Sequence, residues 1–117
     1  MKNTPRGFRI TDCKGFHITF KSGVTVSIQF GGGNYCQNHD KLNLISHAGE
    51  VEDGIRSLDA EVAIWNNDGV WITKEFRDDG DDVIGYQTPE EILEILNWAS
   101  QYNTTKVDDL AKKEIQQ

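Results

Sequence analysis

The chain has 117 residues, enough for one domain around one core, and no apolar run approaches the roughly 20 residues of a membrane span. Val, Ile, Leu and Phe supply 29 of them, which lifts the composition above the disordered range. The net charge of −7 is unevenly spread: residues 1–49 carry six basic and two acidic residues (+4), residues 50–117 six basic and 17 acidic (−11). Direct binding of the whole chain to a nucleic-acid backbone is therefore not expected, because phosphate contacts need a concentrated basic surface. A basic partner for the acidic half remains open beside the simpler reading of solubilising charge. The N-terminal MKNTPRGFRI has no signal-peptide core, which predicts a cytoplasmic protein whose two cysteines are not a disulfide framework.

In chain order, strict alternation appears first in Phe16–Phe20 and Val24–Phe30, on either side of Lys21-Ser22-Gly23. A three-residue turn with Gly23 in the left-handed region pairs Phe20 with Val24, Ile18 with Val26 and Phe16 with Ile28, all on one face. His17, Thr19, Thr25, Ser27 and Gln29 take the other face, which reads as polar and tolerant of a charge at Thr19. Phe8 and Ile10 have the parity to extend the apolar face across a Thr11–Gly15 turn. Ala60–Asn66 and Val70–Lys74 repeat the pattern around Asn67-Asp68-Gly69, setting Ile64 opposite Ile72 inside and Trp65 opposite Trp71 outside. Asp82–Gln87 reads as a further short strand.

One helix is signalled over Thr88–Tyr102. Thr88-Pro89-Glu90-Glu91 is a capping box with proline at the first helical position. Ile92, Ile95, Leu96, Ala99 and Tyr102 then form one apolar stripe. The predicted fold is α+β: an antiparallel sheet of five to six strands built from hairpins, with this helix on its apolar face. Residues 1–103 form the single domain, and residues 104–117 a tail with the pattern of a second short helix.

The chemistry-bearing segment is Phe30–Asp40, where Gly31, Gly32 and Gly33 precede Asn34, Tyr35, Cys36, Asn38 and His39. Consecutive glycines let a backbone approach a ligand closely, so this loop is a candidate partner- or ligand-binding site, with a flexible connection as the competing reading. It lacks the Gly-Lys-Ser/Thr of a phosphate loop and the spacing of a dinucleotide fingerprint. Cys13/His17 and Cys36/His39 offer four zinc ligand types, but neither pair is a paired-cysteine knuckle and His17 already belongs to the hairpin, so no metal or other cofactor is expected. Cys36 acting as a nucleophile with His39 or His47 lacks an orienting third group, and His47 reads as a loop histidine. Asp78–Asp82 lacks the ligand order of a calcium loop, and the Asn103-Thr104-Thr105 sequon has no secretory context. Trp65 and Trp71 form either an exposed contact platform or a patch covered by the Lys41–Ser57 loop; both readings stand.

Gly15–Phe20, Gly23–Val26, Gln29–Gly31, Gly33–Cys36, Ala60–Trp65 and Gly85–Glu91 resemble a group of small proteins encoded by tailed phages and prophages. The resemblance spans most of residues 15–99; where those relatives often carry proline in the glycine loop, this chain has Gly32. It implies a setting, the host cytoplasm, rather than a mechanism. The expected function is a non-catalytic protein that occupies a host component, such as an anti-phage defence protein, using the Gly31–His39 loop with Trp65 and Trp71. The alternative is a small-ligand binder, a sponge for a nucleotide signal held by the same loop. No membrane partner is expected, and homo-oligomerisation is left open.

Overall fold

The computed structural model describes residues 5–11, 14–41 and 56–102. The tail from residue 103, Cys13, His47 and most of the Lys41–Ser57 loop lie outside them. Strands β1 (Gly7–Thr11), β2 (Gly15–Thr19), β3 (Thr25–Gln29), β4 (Ala60–Trp65) and β5 (Ile84–Gln87) form one antiparallel sheet in sequential order. Helix α2 (Pro89–Ser100) follows β5, and a single turn, α1 (Thr73–Phe76), precedes it. Among the described residues no helix is long and apolar enough to cross a membrane.

The first hairpin has the register that alternation requires: Phe16 faces Ile28 and Ile18 faces Val26. Phe20 N–H donates to Val24 O at 3.0 Å, and Gly23, at φ +88°, closes the turn through its N–H to Phe20 O. A residue with a Cβ would be strained at that φ. Phe8 and Ile10 continue the row opposite Ile18 and Phe16. They are nonetheless 79% and 80% exposed, because α2 packs against β3 and β5 rather than reaching the β1 side. The buried core is Val24, Val26, Ile28, Val62, Ile64, Ile72, Ile84, Ile95 and Ala99, with Ala60 at its rim.

Two expectations are corrected. The second hairpin forms its turn, with Asn66 N–H to Val70 O at 2.8 Å, the Trp65–Trp71 bridge and Ile72 N–H to Ile64 O at 2.8 Å, but its returning segment stops at Ile72 instead of running on to Lys74. The buried Thr73 hydroxyl accepts from Ile64 N–H at 2.9 Å and lies 3.3 Å from Ile64 O. A side chain thus takes over the Ile64 N–H, and the backbone is released into α1. The hairpin's polar face is also not a solvated one: Thr19, Thr25 and Ser27 are buried, and Thr19 Oγ1 meets Thr25 Oγ1 at 2.8 Å. A charge at Thr19 would sever that pair between two buried side chains.

Helix α2 starts as its sequence requires. Thr88 Oγ1 accepts from Glu91 N–H, and Glu91 Oε1 accepts from Thr88 N–H at 2.9 Å. The bond from Thr88 N–H first, then one from the Thr88 hydroxyl to the same oxygen at 3.0 Å, hold the Glu91 carboxyl below its ordinary pKa. Past the helix C-terminus, Tyr102 OH donates to Glu75 Oε1 at 2.7 Å, tying the chain to α1. Burial first, then the bond to Glu75 and its charge, push the phenol up to about 12.

Two outcomes check this fold. Ile95→Ala should lower the unfolding free energy by about 2–5 kcal/mol in a denaturant melt, Thr19→Asp should destabilise comparably, and Leu93→Ala on the exposed face should stay within about 0.5 kcal/mol. Because the Tyr102 pKa is raised on folding, its contribution is complete below the unfolded value near 10 and is lost as pH rises toward about 12. Unfolding followed from pH 9 to 12 should show that loss in the wild type and a smaller one in Tyr102→Phe.

Candidate functional site

The glycine loop is laced to the sheet rather than left free. Gly31 N–H donates to Asn34 Oδ1, Asn34 N–H to Gly31 O, Gly33 N–H to His39 O, Cys36 N–H to Asn34 O and His39 N–H to Cys36 O. The loop then reaches across the sheet. Glu61, on β4, accepts Asn34 Nδ2 on one carboxylate oxygen and Tyr35 N–H on the other, each at 3.2 Å. Gln37 N–H donates to Asp59 Oδ1 at 2.7 Å. Asn38 is buried, and its Nδ2 donates to Phe30 O at 2.8 Å and Arg56 O at 3.0 Å. Cys36 is buried with Sγ 3.6 Å from Gly31 O. Gly31 and Gly32 are buried as well, so Gly32 is a packed residue and not a source of slack.

Five of the candidate residues therefore serve the loop's own structure: Gly31, Gly32, Asn34, Cys36 and Asn38. What the loop presents outward is Tyr35, 47% exposed, with the His39 ring stacked parallel to it at 5.5 Å. His39 Nδ1 lies 3.0 Å from the solvent-facing Asp40 carboxylate.

Beside Tyr35 the sheet carries an irregularity. Ala60 pairs with Gln87 and Val62 with Ile84, so Gly85 and Tyr86 together face the single residue Glu61: a β-bulge. Tyr86 turns its N–H to Tyr35 O at 2.9 Å, and Tyr35 Cβ lies where a Cβ on residue 85 would come within 2.9 Å. Only glycine fits there. Tyr86 sits at φ +56°, a left-handed backbone that costs an L-residue about 1–2 kcal/mol, and is 54% exposed. The neighbouring Gln87 is buried; its Nε2 donates to Gly85 O, while its Oε1 has no hydrogen-bond partner. Tyr35, His39 and Tyr86 thus form an exposed aromatic group on a backbone held from both sides.

Tyr86 and Glu61 were missed by sequence reasoning. A glycine inside a strand pattern, Gly85, was the available signal for the bulge; Glu61 had none, because its partners lie 26 and 27 residues away. Trp65 and Trp71 do meet, with ring centroids 5.7 Å apart, and Trp71 is half exposed. They do not join the loop: Trp65 pairs with Thr25 at one end of β3, whereas Glu61 pairs with Gln29 at the other. His17 lies against Trp65 at 4.9 Å, and burial first, then Arg9, hold its pKa below the ordinary value. Among the described residues no three His, Cys, Asp or Glu side chains converge as a metal site.

Scans against protein-family models, curated proteins and solved structures each returned no match to this chain.

The arrangement separates structural from presenting residues, and stability measurements can check the division. Asn38→Ala leaves the Phe30 and Arg56 carbonyls without their donor and should cost about 1–3 kcal/mol. Tyr86→Gly relieves the left-handed backbone and should leave stability unchanged or raise it by up to about 1 kcal/mol. Equal losses in the two variants would contradict the division.

Proposed function

We propose that the protein is a non-catalytic binding protein of phage or prophage origin that occupies a host protein, in the host cytoplasm, through the Tyr35–His39–Tyr86 surface. The observation that carries this reading is the coincidence at one bulge of two local costs with one exposed group. Tyr86 is held at φ +56° and the buried Gln87 Oε1 is unpaired, yet the aromatic rings there face solvent. Strain and unsatisfied groups of this kind cluster where a fold serves binding. Tyrosine supplies contact area and a directional hydroxyl at small entropic cost. The lacing of Asn34, Tyr35 and Gln37 to Glu61 and Asp59 means that little ordering remains to be done on association. The resemblance to tailed-phage proteins supplies the host setting, within which a host-defence component is the target class to test first.

The nucleotide-sponge reading of the same loop is less well supported. The N–H groups of residues 31, 33, 34, 35, 36, 37 and 39 already donate within the fold. A phosphate at this loop would have to displace those bonds.

The test is functional. Expressed in a bacterium carrying an anti-phage defence, the wild-type protein should restore plating of the restricted phage. Tyr35→Ala combined with Tyr86→Gly should abolish the effect while the unfolding midpoint moves by no more than about 5 °C. Full activity of the doubly substituted protein would remove this surface from consideration.

A further inference from the structure

The buried polar face of the sheet holds a second feature, at the opposite end of β3 from the aromatic group. Register places Gly7, Thr19, Thr25 and Trp65 in one row across β1, β2, β3 and β4. Three small residues ending at a tryptophan leave a trough with an aromatic wall, and a cavity of about 330 Å³ lies there. That volume falls at the lower end of small-molecule sites. The floor is the Thr19–Thr25 hydroxyl pair; one hydroxyl donates to the other, so the pair keeps one O–H to offer upward. The wall is Trp65 with His17 edge-on to it at 85°. At the rim stand Arg6 and Arg9, both exposed and, among the described residues, without a hydrogen bond or ion pair; Arg9 acts on His17 through its charge.

In a chain of net charge −7, two guanidiniums stand here without a carboxylate partner among the described residues. Guanidinium forks match phosphate or carboxylate oxygens in a bidentate geometry. We infer that this cavity binds a nucleoside monophosphate, its planar base in the corner between His17 and Trp65 and its phosphate between Arg6 and Arg9. The hydroxyl pair gives the ring edge a hydrogen-bonding partner at the floor. The site is independent of the Tyr35–His39–Tyr86 surface and uses none of its residues.

Titration calorimetry of the full chain with AMP, GMP, CMP and UMP tests it, with inorganic phosphate and adenosine as separate arms. At least one monophosphate should bind one to one, about tenfold or more tighter than phosphate or adenosine alone. Arg6→Gln with Arg9→Gln should weaken that binding by about tenfold or more without shifting thermal unfolding, since both side chains are exposed. Trp65→Phe should weaken it less. No saturable heat from any monophosphate at millimolar concentration would overturn the inference. So would phosphate binding as tightly as the nucleotides, or affinity unchanged in the arginine variant. Because Tyr35 and Tyr86 take no part, loss of the plating effect in their variant leaves this result unaffected, and the reverse also holds.

Discussion

The parity of β4 is the constraint on which the rest of the molecule depends. Ala60, Val62 and Ile64 turn inward and are buried against β3, β5 and α2, while Glu61, Ala63 and Trp65 turn to the other face. Glu61 anchors the glycine loop at one end of that face, and Trp65 forms the wall of the cavity at the other. A slip of one residue would exchange the two sets, placing a carboxylate in the core and removing the loop's anchor together with the aromatic wall. The same strand is shared along its second edge. The Thr73 hydroxyl and the Trp71 bridge satisfy residues 64 and 65, β5 satisfies residues 60 and 62, and the bulge falls opposite Glu61. Core, loop and cavity are therefore consequences of one pairing.

What could be read from the amino-acid order follows the range over which each interaction acts. The Phe16–Phe30 hairpin and the Thr88 cap were legible because alternation, a turn glycine and a capping box are local patterns with a single geometric solution. The second hairpin was legible as far as Ile72, where Trp71 bridges Trp65 and Ile72 N–H still reaches Ile64 O. From there a threonine hydroxyl, nine residues from its partner, replaces the backbone ladder, and no periodicity announces that. The polar positions Thr19, Thr25 and Ser27 were assigned to the right face but to the wrong environment, since alternation reports orientation and not what lies above it.

The same distinction explains the candidate site. Residue types alone made Asn34, Cys36 and Asn38 look like ligands-in-waiting, because amides and thiols are the groups that sites use. In the structure they face inward and close the loop on itself, as buried polar atoms must when they leave water. The two residues that present chemistry outward, Tyr35 and Tyr86, are joined by one main-chain hydrogen bond over 51 positions. A glycine-rich composition suggested looseness; dense internal bonding makes this loop a fixed platform.

The outer strand has a consequence of another kind. Phe20 N–H to Val24 O and Phe30 N–H to Lys14 O fix the alternation of β2, which turns the main-chain groups of Phe8 and Ile10 away from the sheet. Their side chains are exposed too, so among the described residues β1 is an edge with both bonding groups and apolar surface. Arg9 lies between them and Arg6 just before the strand. Two such edges meeting would bring like charges together, a barrier that added salt screens. Arginines at this edge would make edge-to-edge contact between copies depend on ionic strength, opposing it in dilute buffer and less so as screening increases.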